Sequence, residues 1–264
     1  MPYEKILPEI ISLARAAGYQ ILKVYDTDFE VDHKQDESPL TAADLAAHRC
    51  ILDGLEKLRV QWPILSEESA TTRPFSERSS WSPYWLVDPL DGTKEFVKRN
   101  GEFTVNIALI EGHKPVLGVV HVPVTGVTYF AAEGHGAFRK LGTDEPVAIR
   151  VHDQARTPRV VGSRSHRGPL IDQYLENLGA HEMVPMGSSL KFCVVAEGGA
   201  DVYPRLGPTS EWDTAAAHAV INGAGGRVVH LDGSDLTYNA KEDILNPHFM
   251  VLGNPTSNWL DYLP

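Results

Sequence analysis

The sequence predicts an α/β protein in two halves, α+β over residues 1–155 and α/β over residues 156–264, packed as one layered body. Three observations carry that reading. Two helical stripes precede any strand, a group of short β-rich runs with hairpin-length gaps follows, and after about residue 155 strands and helices alternate. A chain of 264 residues suffices for one large domain or two intimate halves, since single cores stop growing near about 250 residues.

Taking the elements in order, Ile6, Ile10, Leu13, Ala14, Ala17, Ile21 and Val24 recur at spacings of three and four, the stripe of an amphipathic helix that ends near Tyr25. After a polar connector, Thr41 stands three residues before Asp44 like a capping box. It opens a second helix bearing Leu45, Ile51, Leu52, Leu55 and Leu58. Strands are expected at 63–66, 85–87, 103–110, 116–122 and 127–131, forming an antiparallel sheet backed by the helices. In the second half, strands near 160–162, 202–204, 227–231 and 249–252 alternate with helices near 170–178, 190–196 and 214–222. Gly223-Ala224-Gly225-Gly226 follows a helix rather than a strand, so it reads as a helix end and not as a dinucleotide-binding turn. No period of about 20–50 residues is present, which excludes repeat architectures.

Composition narrows the function classes. Twenty-four Lys and Arg against 35 Asp and Glu leave a net charge of −11, which repels phosphate backbones and anionic bilayers, so nucleic-acid polymers are not expected partners. No uncharged run reaches the roughly 18 residues of a membrane span, and the N-terminus lacks a basic segment followed by an apolar one. Cys50 and Cys193 are far apart within apolar helical patterns, so they are expected to be thiols in a reducing, cytoplasmic compartment rather than a disulfide or a zinc site.

The most informative segment is Asp88-Pro89-Leu90-Asp91-Gly92-Thr93-Lys94-Glu95-Phe96, read as strand, acidic turn and helix start. Two carboxylates three apart cannot lie buried together unless a cation neutralises them. Hard oxygen donors suit Mg²⁺, and the Leu90 carbonyl offers another oxygen. The backbone N–H groups of Gly92 and Thr93 at a helix start would face an anion such as phosphate. Glu67 and Glu68 stand at the end of another expected strand, where one could join the metal site, although taken alone two exposed loop acids are the better explanation. Asp213 opens the small-residue helix Thr214-Ala215-Ala216-Ala217, a position that plain capping would also explain.

In combination these segments resemble the inositol monophosphatase superfamily of Mg²⁺-dependent phosphatases. The matching elements are Leu65-Ser66-Glu67-Glu68, Asp88-Pro89-Leu90-Asp91-Gly92-Thr93, Trp212-Asp213-Thr214-Ala215-Ala216 and Gly225-Gly226, which span nearly the whole chain. Three details are similar to the CysQ-type 3'(2'),5'-bisphosphate nucleotidases within it: Ser38-Pro39-Leu40-Thr41-Ala42-Ala43-Asp44, Lys94-Glu95-Phe96 and Gly187-Ser188-Ser189-Leu190-Lys191-Phe192. Inositol monophosphatases usually carry Thr-Asn-Phe where this chain has Lys94-Glu95-Phe96.

The resemblance implies a layered αβαβα sugar-phosphatase-like fold and two or three Mg²⁺ held by Glu67, Asp88, Asp91 and Asp213 side chains and the Leu90 carbonyl, with Glu68 a neighbour only. It implies that Asp44 and Thr93 orient and deprotonate the attacking water, and that Ser163, His166, Gly187 and Lys191 contact a nucleotide, with Gly92, Thr93 and Asp213 also in the substrate site. The implied activity is removal of the 3'-phosphate from adenosine 3',5'-bisphosphate by a monomer or homodimer with a small-molecule substrate; peripheral association with the inner membrane stays open. An inositol or sugar monophosphatase on the same scaffold, and a non-catalytic phosphate-binding regulator, are the competing readings. No Gly-x-Ser-x-Gly elbow, Cys-x5-Arg loop or P-loop is present, so direct attack by water needs no covalent enzyme intermediate.

Overall fold

The computed structural model describes residues 3–27, 31–33, 39–152, 156–162 and 168–264. Helix α1 (Leu7–Tyr25) forms as its stripe predicts, with Ile10, Ala14, Ala17 and Ile21 fully buried. A short antiparallel ribbon of β1 (Val31–His33) and β2 (Pro39–Thr41) leads to α2 (Ala42–Leu55). The α2 stripe differs from expectation: Ala43, Ala47, Ile51 and Leu55 are buried, whereas Leu45 is largely exposed. Small residues at 43 and 47 let the helix lie close over its neighbours, and that closeness decides which face turns inward. The Thr41 side chain, offered above as a cap, lies outside the described part.

The first sheet runs β3 (Ile64–Ser66), β4 (Tyr84–Asp91), β5 (Thr104–Glu111), β6 (Lys114–Val122), β7 (Val127–Ala132), β8 (Gly136–Leu141) and β9 (Val147–Ile149) in spatial order, with the one-turn α3 (Phe75–Arg78) and short α4 (Thr93–Val97) on its connections. It is not purely antiparallel, because β3 pairs parallel with β4. The second sheet has the order β11-β10-β12-β14-β13 and is mixed, from β10 (Arg159–Gly162), β11 (Glu182–Pro185), β12 (Val202–Arg205), β13 (Arg227–His230) and β14 (Phe249–Leu252). The remaining helices are α5 (Pro169–Leu178), α6 (Leu190–Ala196) and α7 (Glu211–Gly223). Strands β8, β9 and β11 were not expected from the sequence: they are short edge or near-edge strands, β8 and β11 mixing apolar with exposed polar residues and β9 being only three residues, none of them buried.

Period-two alternation sorts the core into layers. On β4 and β5, Trp85, Val87, Val105, Ile107 and Leu109 pack under α1 and α2, while Tyr84, Leu86, Ala108 and Ile110 face α6 and α7. The other side of α6 and α7 meets Tyr203, Phe249 and Val251 of the second sheet, whose outer residues Val160, Val202, Val229 and Met250 pack on Tyr174, Leu175 and Trp259. The order is therefore helix, sheet, helix, sheet, helix, the αβαβα arrangement. Among the described residues no helix is long and apolar enough to cross a membrane.

Helix α7 approaches β6 so closely that a methyl at Gly118 would be driven into the Ala216 carbonyl and against the Ala219 Cβ. Neither backbone can retreat without moving a whole layer. Gly118→Ala is expected to cost about 1–3 kcal/mol or more, the usual range for overpacking. Urea unfolding checks this, and a parent-like midpoint would refute so tight a contact.

Candidate active site

On an ideal strand, residues three apart face opposite sides, so Asp88 and Asp91 should diverge. They do not, because β4 carries a bulge: Asp88 pairs with Asn106 and Asp91 with Thr104, three steps on one strand against two on the other. The expected acidic turn is thus the irregular end of a strand. Pro89 brings no N–H to an interrupted ladder, and Leu90 turns its side chain into the core beneath α1 and α2. Asp213 arrives from 122 residues beyond Asp91, at the third position of α7. One carboxylate oxygen from each of Asp88, Asp91 and Asp213 lies within 4.8 Å of the others.

Each of the three acids has one oxygen fixed by protein donors. The Leu90 N–H donates to Asp88 Oδ1 at 3.0 Å. Ser188 Oγ donates to Asp91 Oδ2, which also receives the Ser189 N–H at 2.6 Å. Asp213 Oδ2 accepts from Thr209 Oγ1 at 2.7 Å and from the Ser210 N–H at 2.9 Å. Ser210 is the N-cap and Asp213 closes its capping box, so capping occupies one carboxylate oxygen and leaves the other for a cation.

Glu67 follows β3 directly, and the parallel register Ser66 to Val87 sets it beside Asp88 at the same strand end. Asp44 is fully buried in the first turn of α2. Burial first, then the charges of Glu67, Asp91, Asp213 and Asp44, push the Asp88 carboxyl far above the usual carboxylate range. Burial and then Asp91 likewise raise Asp213, against the opposing pull of Thr209, Ser210 and Arg205. Glu68 acts elsewhere, on the half-buried His48, whose Nδ1 lies 2.9 Å from Ser66 Oγ. Clustered carboxylates, Asp88 buried and Asp91 and Asp213 half-buried, are all hard oxygen donors and fit a divalent cation, which would replace the protons such a cluster otherwise needs.

This has a measurable consequence for the metal-free protein. Asp88 and Asp213 bind protons more tightly folded than unfolded, as does buried Glu211, raised to about 7 chiefly by burial. The stability contributed by such groups is complete below their unfolded values and is lost as pH rises through the folded ones. Below about pH 6.5 the buried His121 and His218, lowered by burial to about 4 and about 3, act in the opposite direction. Between pH 6.5 and 8 the carboxylates therefore dominate. Chelator-treated protein should lose stability over that window, and saturating Mg²⁺ should remove the part contributed by Asp88 and Asp213 and leave that of Glu211, which is outside the ligand set. A flat metal-free profile in thermal unfolding would contradict the clustering.

Gly92 caps α4 at a φ of +90°, a conformation that disfavours a side chain, with Glu102 O and Ser188 Cβ each 3.3 Å from where a Cβ would stand. Thr93 is the first residue of α4, half-buried. Gly187 donates its N–H to Glu102 Oε2 at 2.8 Å, and Lys191 Nζ donates to the Ser188 carbonyl at 2.9 Å. Gly92, Asp91, Asp213, Gly187 and Lys191 line one cleft of about 190 Å³. An adjoining cavity of about 500 Å³ is mostly apolar, with Val160, Val161, Ile171, Met183 and Leu206 in its walls. Ser163 and His166 lie outside the described residues. Sequence reasoning missed the supports Thr104, Asn106, Ser188, Ser189 and Thr209. Thr104 and Asn106 had a signal, being polar residues two apart inside an apolar strand; they meet the Ser188 and Ser189 hydroxyls at 2.7–2.9 Å.

Sequence comparison extends this picture over almost the entire chain. The 3'(2'),5'-bisphosphate nucleotidase CysQ of Salmonella typhimurium is 53% identical over 248 residues, covering 93% of this chain and 99% of that one. The Escherichia coli protein of the same name is 52% identical over the same coverage. The crystal structure of CysQ from Bacteroides thetaiotaomicron superposes with a TM-score of 0.81 at 43% identity, over 93% of this chain and 96% of that one. A Thermotoga maritima IMPase, at 24% identity and a TM-score of 0.80 over 98% and 96% of the two chains, shares the fold. Residues 3–256 match the inositol monophosphatase family, the span that brings Glu67, the bulged acid pair and the α7 acid together, and the chain belongs to that family.

Proposed function

We propose that the protein is a Mg²⁺-dependent 3'(2'),5'-bisphosphate nucleotidase, a phosphoric monoester hydrolase that converts adenosine 3',5'-bisphosphate and water to AMP and inorganic phosphate. The observation that carries this is the cluster of buried Asp88 with half-buried Asp91 and Asp213 at a cleft adjoining an apolar cavity. Identity of 52–53% with bisphosphate nucleotidases supports the substrate class. Glu67, Asp88, Asp91 and Asp213, with the Leu90 carbonyl, are the groups to hold two or three Mg²⁺. When bound, the cations cancel the charge of the phosphate dianion, acidify a water and stabilise the departing ester oxygen.

The residues of the chain supply the rest. Asp44 accepts the proton of the attacking water, and the Thr93 hydroxyl orients that water for in-line attack. Gly92 and Thr93 present N–H groups to the phosphate oxygens. Gly187, Lys191, Ser163 and His166 are the nucleotide contacts, and the apolar cavity takes the base. A small nucleotide substrate and two free thiols, Cys50 and Cys193, suit a cytoplasmic enzyme.

Phosphate release from adenosine 3',5'-bisphosphate, inositol 1-phosphate and a sugar phosphate, each with and without Mg²⁺, tests the reading. Fastest turnover of the bisphosphate, abolished by chelation, is the expected result. Faster turnover of inositol 1-phosphate would overturn the substrate assignment, and full activity in chelator would overturn the mechanism.

A further inference from the structure

The four acids assigned to the metal are not anchored in the same way. Asp88, Asp91 and Asp213 each have a carboxylate oxygen fixed by protein donors, and their ligand atoms converge within 4.8 Å of one another. Glu67 is not one of the converging three, although among the surrounding charges it acts most strongly on Asp88. Its place depends on β3, a strand of three residues at the edge of the first sheet, paired with β4. Short edge strands with few contacts are among the first parts of a sheet to open, so a metal acid at the end of one needs a further hold.

A side chain of α2 reaches the end of that strand. His48 Nδ1 lies 2.9 Å from Ser66 Oγ, and Ser66 is the fully buried residue that precedes Glu67. Ser66 is also the N-cap of the 3-10 turn that opens at Glu67, where a serine hydroxyl ordinarily accepts an N–H of the turn; here it makes no such bond. The hydroxyl is given to the helix instead. His48 follows Asp44 by four residues, one turn farther along the same face of α2. The charges of Asp44 and Glu67 both act on Asp88, so both acids stand close to it, and the His48–Ser66 bond joins the two elements that bring them there.

We propose that His48 is a positioning residue: through the Ser66 hydroxyl it holds the end of β3 against α2, and so fixes Glu67 of the metal set relative to Asp44, the acceptor of the water proton. The inference rests on the roles given to those two acids above. His48 is half-buried and is not among the side chains whose ligand atoms converge, so it acts through Ser66 rather than on a cation. Glu68, outside the metal set, acts by its charge on the same ring, which gives the two neighbouring acids separate partners. If the bond served only to satisfy a buried hydroxyl, its loss would lower stability and leave Mg²⁺ affinity unchanged.

The test measures Mg²⁺ affinity by calorimetry, kcat and KM on adenosine 3',5'-bisphosphate, and Tm in chelator. The proteins compared are the parent, His48→Ala, His48→Asn, Ser66→Ala and the double variant His48→Ala/Ser66→Ala. Asparagine places its amide nitrogen near the position of the imidazole Nδ1 and can keep the bond; alanine cannot. Each alanine variant is expected to bind Mg²⁺ at least about tenfold more weakly and to lose at least about tenfold in kcat with KM little changed, the low end for groups that orient a metal ligand. The double variant should be no worse than either single one, because both remove the same bond. His48→Asn should recover most of the loss. Parent-like Mg²⁺ affinity in both alanine variants, or His48→Asn as impaired as His48→Ala, overturns the proposal whatever the Tm. A parent that binds Mg²⁺ yet leaves the bisphosphate intact overturns the nucleotidase reading, and the calorimetric comparison then decides the role of His48. Should His48→Ala fail to fold, Ser66→Ala removes the same bond at a position that makes no cap, and decides the matter.

Discussion

Asp91→Asn is expected to lower kcat at least about a hundredfold at saturating Mg²⁺ while leaving the metal-free protein as stable as the parent or more so. Residues that only orient a metal ligand already cost roughly 10–100-fold when removed, and Asp91 is placed in the ligand set itself. The substitution keeps the shape of the side chain and removes a charge from a cluster in which Asp91 raises both Asp88 and Asp213. Losing that repulsion relieves the folded state when no cation is present. The opposite signs separate a ligand from a structural residue: activity and the Mg²⁺-induced rise in Tm fall together, while the Tm in chelator does not. A variant with near-parental turnover and the full Mg²⁺-induced rise would remove Asp91 from the metal site.

Thr93→Val should lower kcat by about a hundredfold with little change in KM, the low end for loss of a group acting on the proton-transfer step. Valine preserves shape and removes the hydroxyl assigned to orient the water. Because that contact matters chiefly in the transition state, its loss belongs in kcat. Asp44→Asn should behave alike, and the two losses should be far from additive if both act on one water. A rise in KM alone would make Thr93 a binding residue.

Long periodic elements and clustered acids were legible in the sequence; close approaches and edges were not. The α1 stripe gave the helix and its buried face because seven apolar positions repeat over five turns. The α2 face was misread because Leu45 outweighs Ala43 and Ala47 in hydrophobicity, while the structure selects small residues where helices touch. Asp88 and Asp91 stood out by type and spacing, whereas Asp213, which the structure brings beside them, was singled out only by the family resemblance. The bulge that turns Asp88 and Asp91 to one side was hidden, since it depends on the register with Thr104 and Asn106. That Ser188 and Ser189 fix Asp91 was equally hidden: they stood in a quoted motif, but almost 100 residues from Asp91, and their donor role appears only when the chain is folded.

The position of α7 between the sheets bears on how the chain is made. The apolar face of β4 to β8 opposite α1 and α2 is covered by a helix that begins at Glu211, roughly 70 residues after β8 ends at Leu141. At about 5–20 residues per second, a ribosome needs several seconds to synthesise that interval. Until α6 and then α7 emerge, Tyr84, Leu86, Ala108, Ile110 and Val120 lack their full native cover, on a sheet whose strand pairs are already available. The nascent chain is therefore a natural client for a holding chaperone until the Ala-rich helix emerges, and a chain truncated before Glu211 should aggregate rather than accumulate as a folded half.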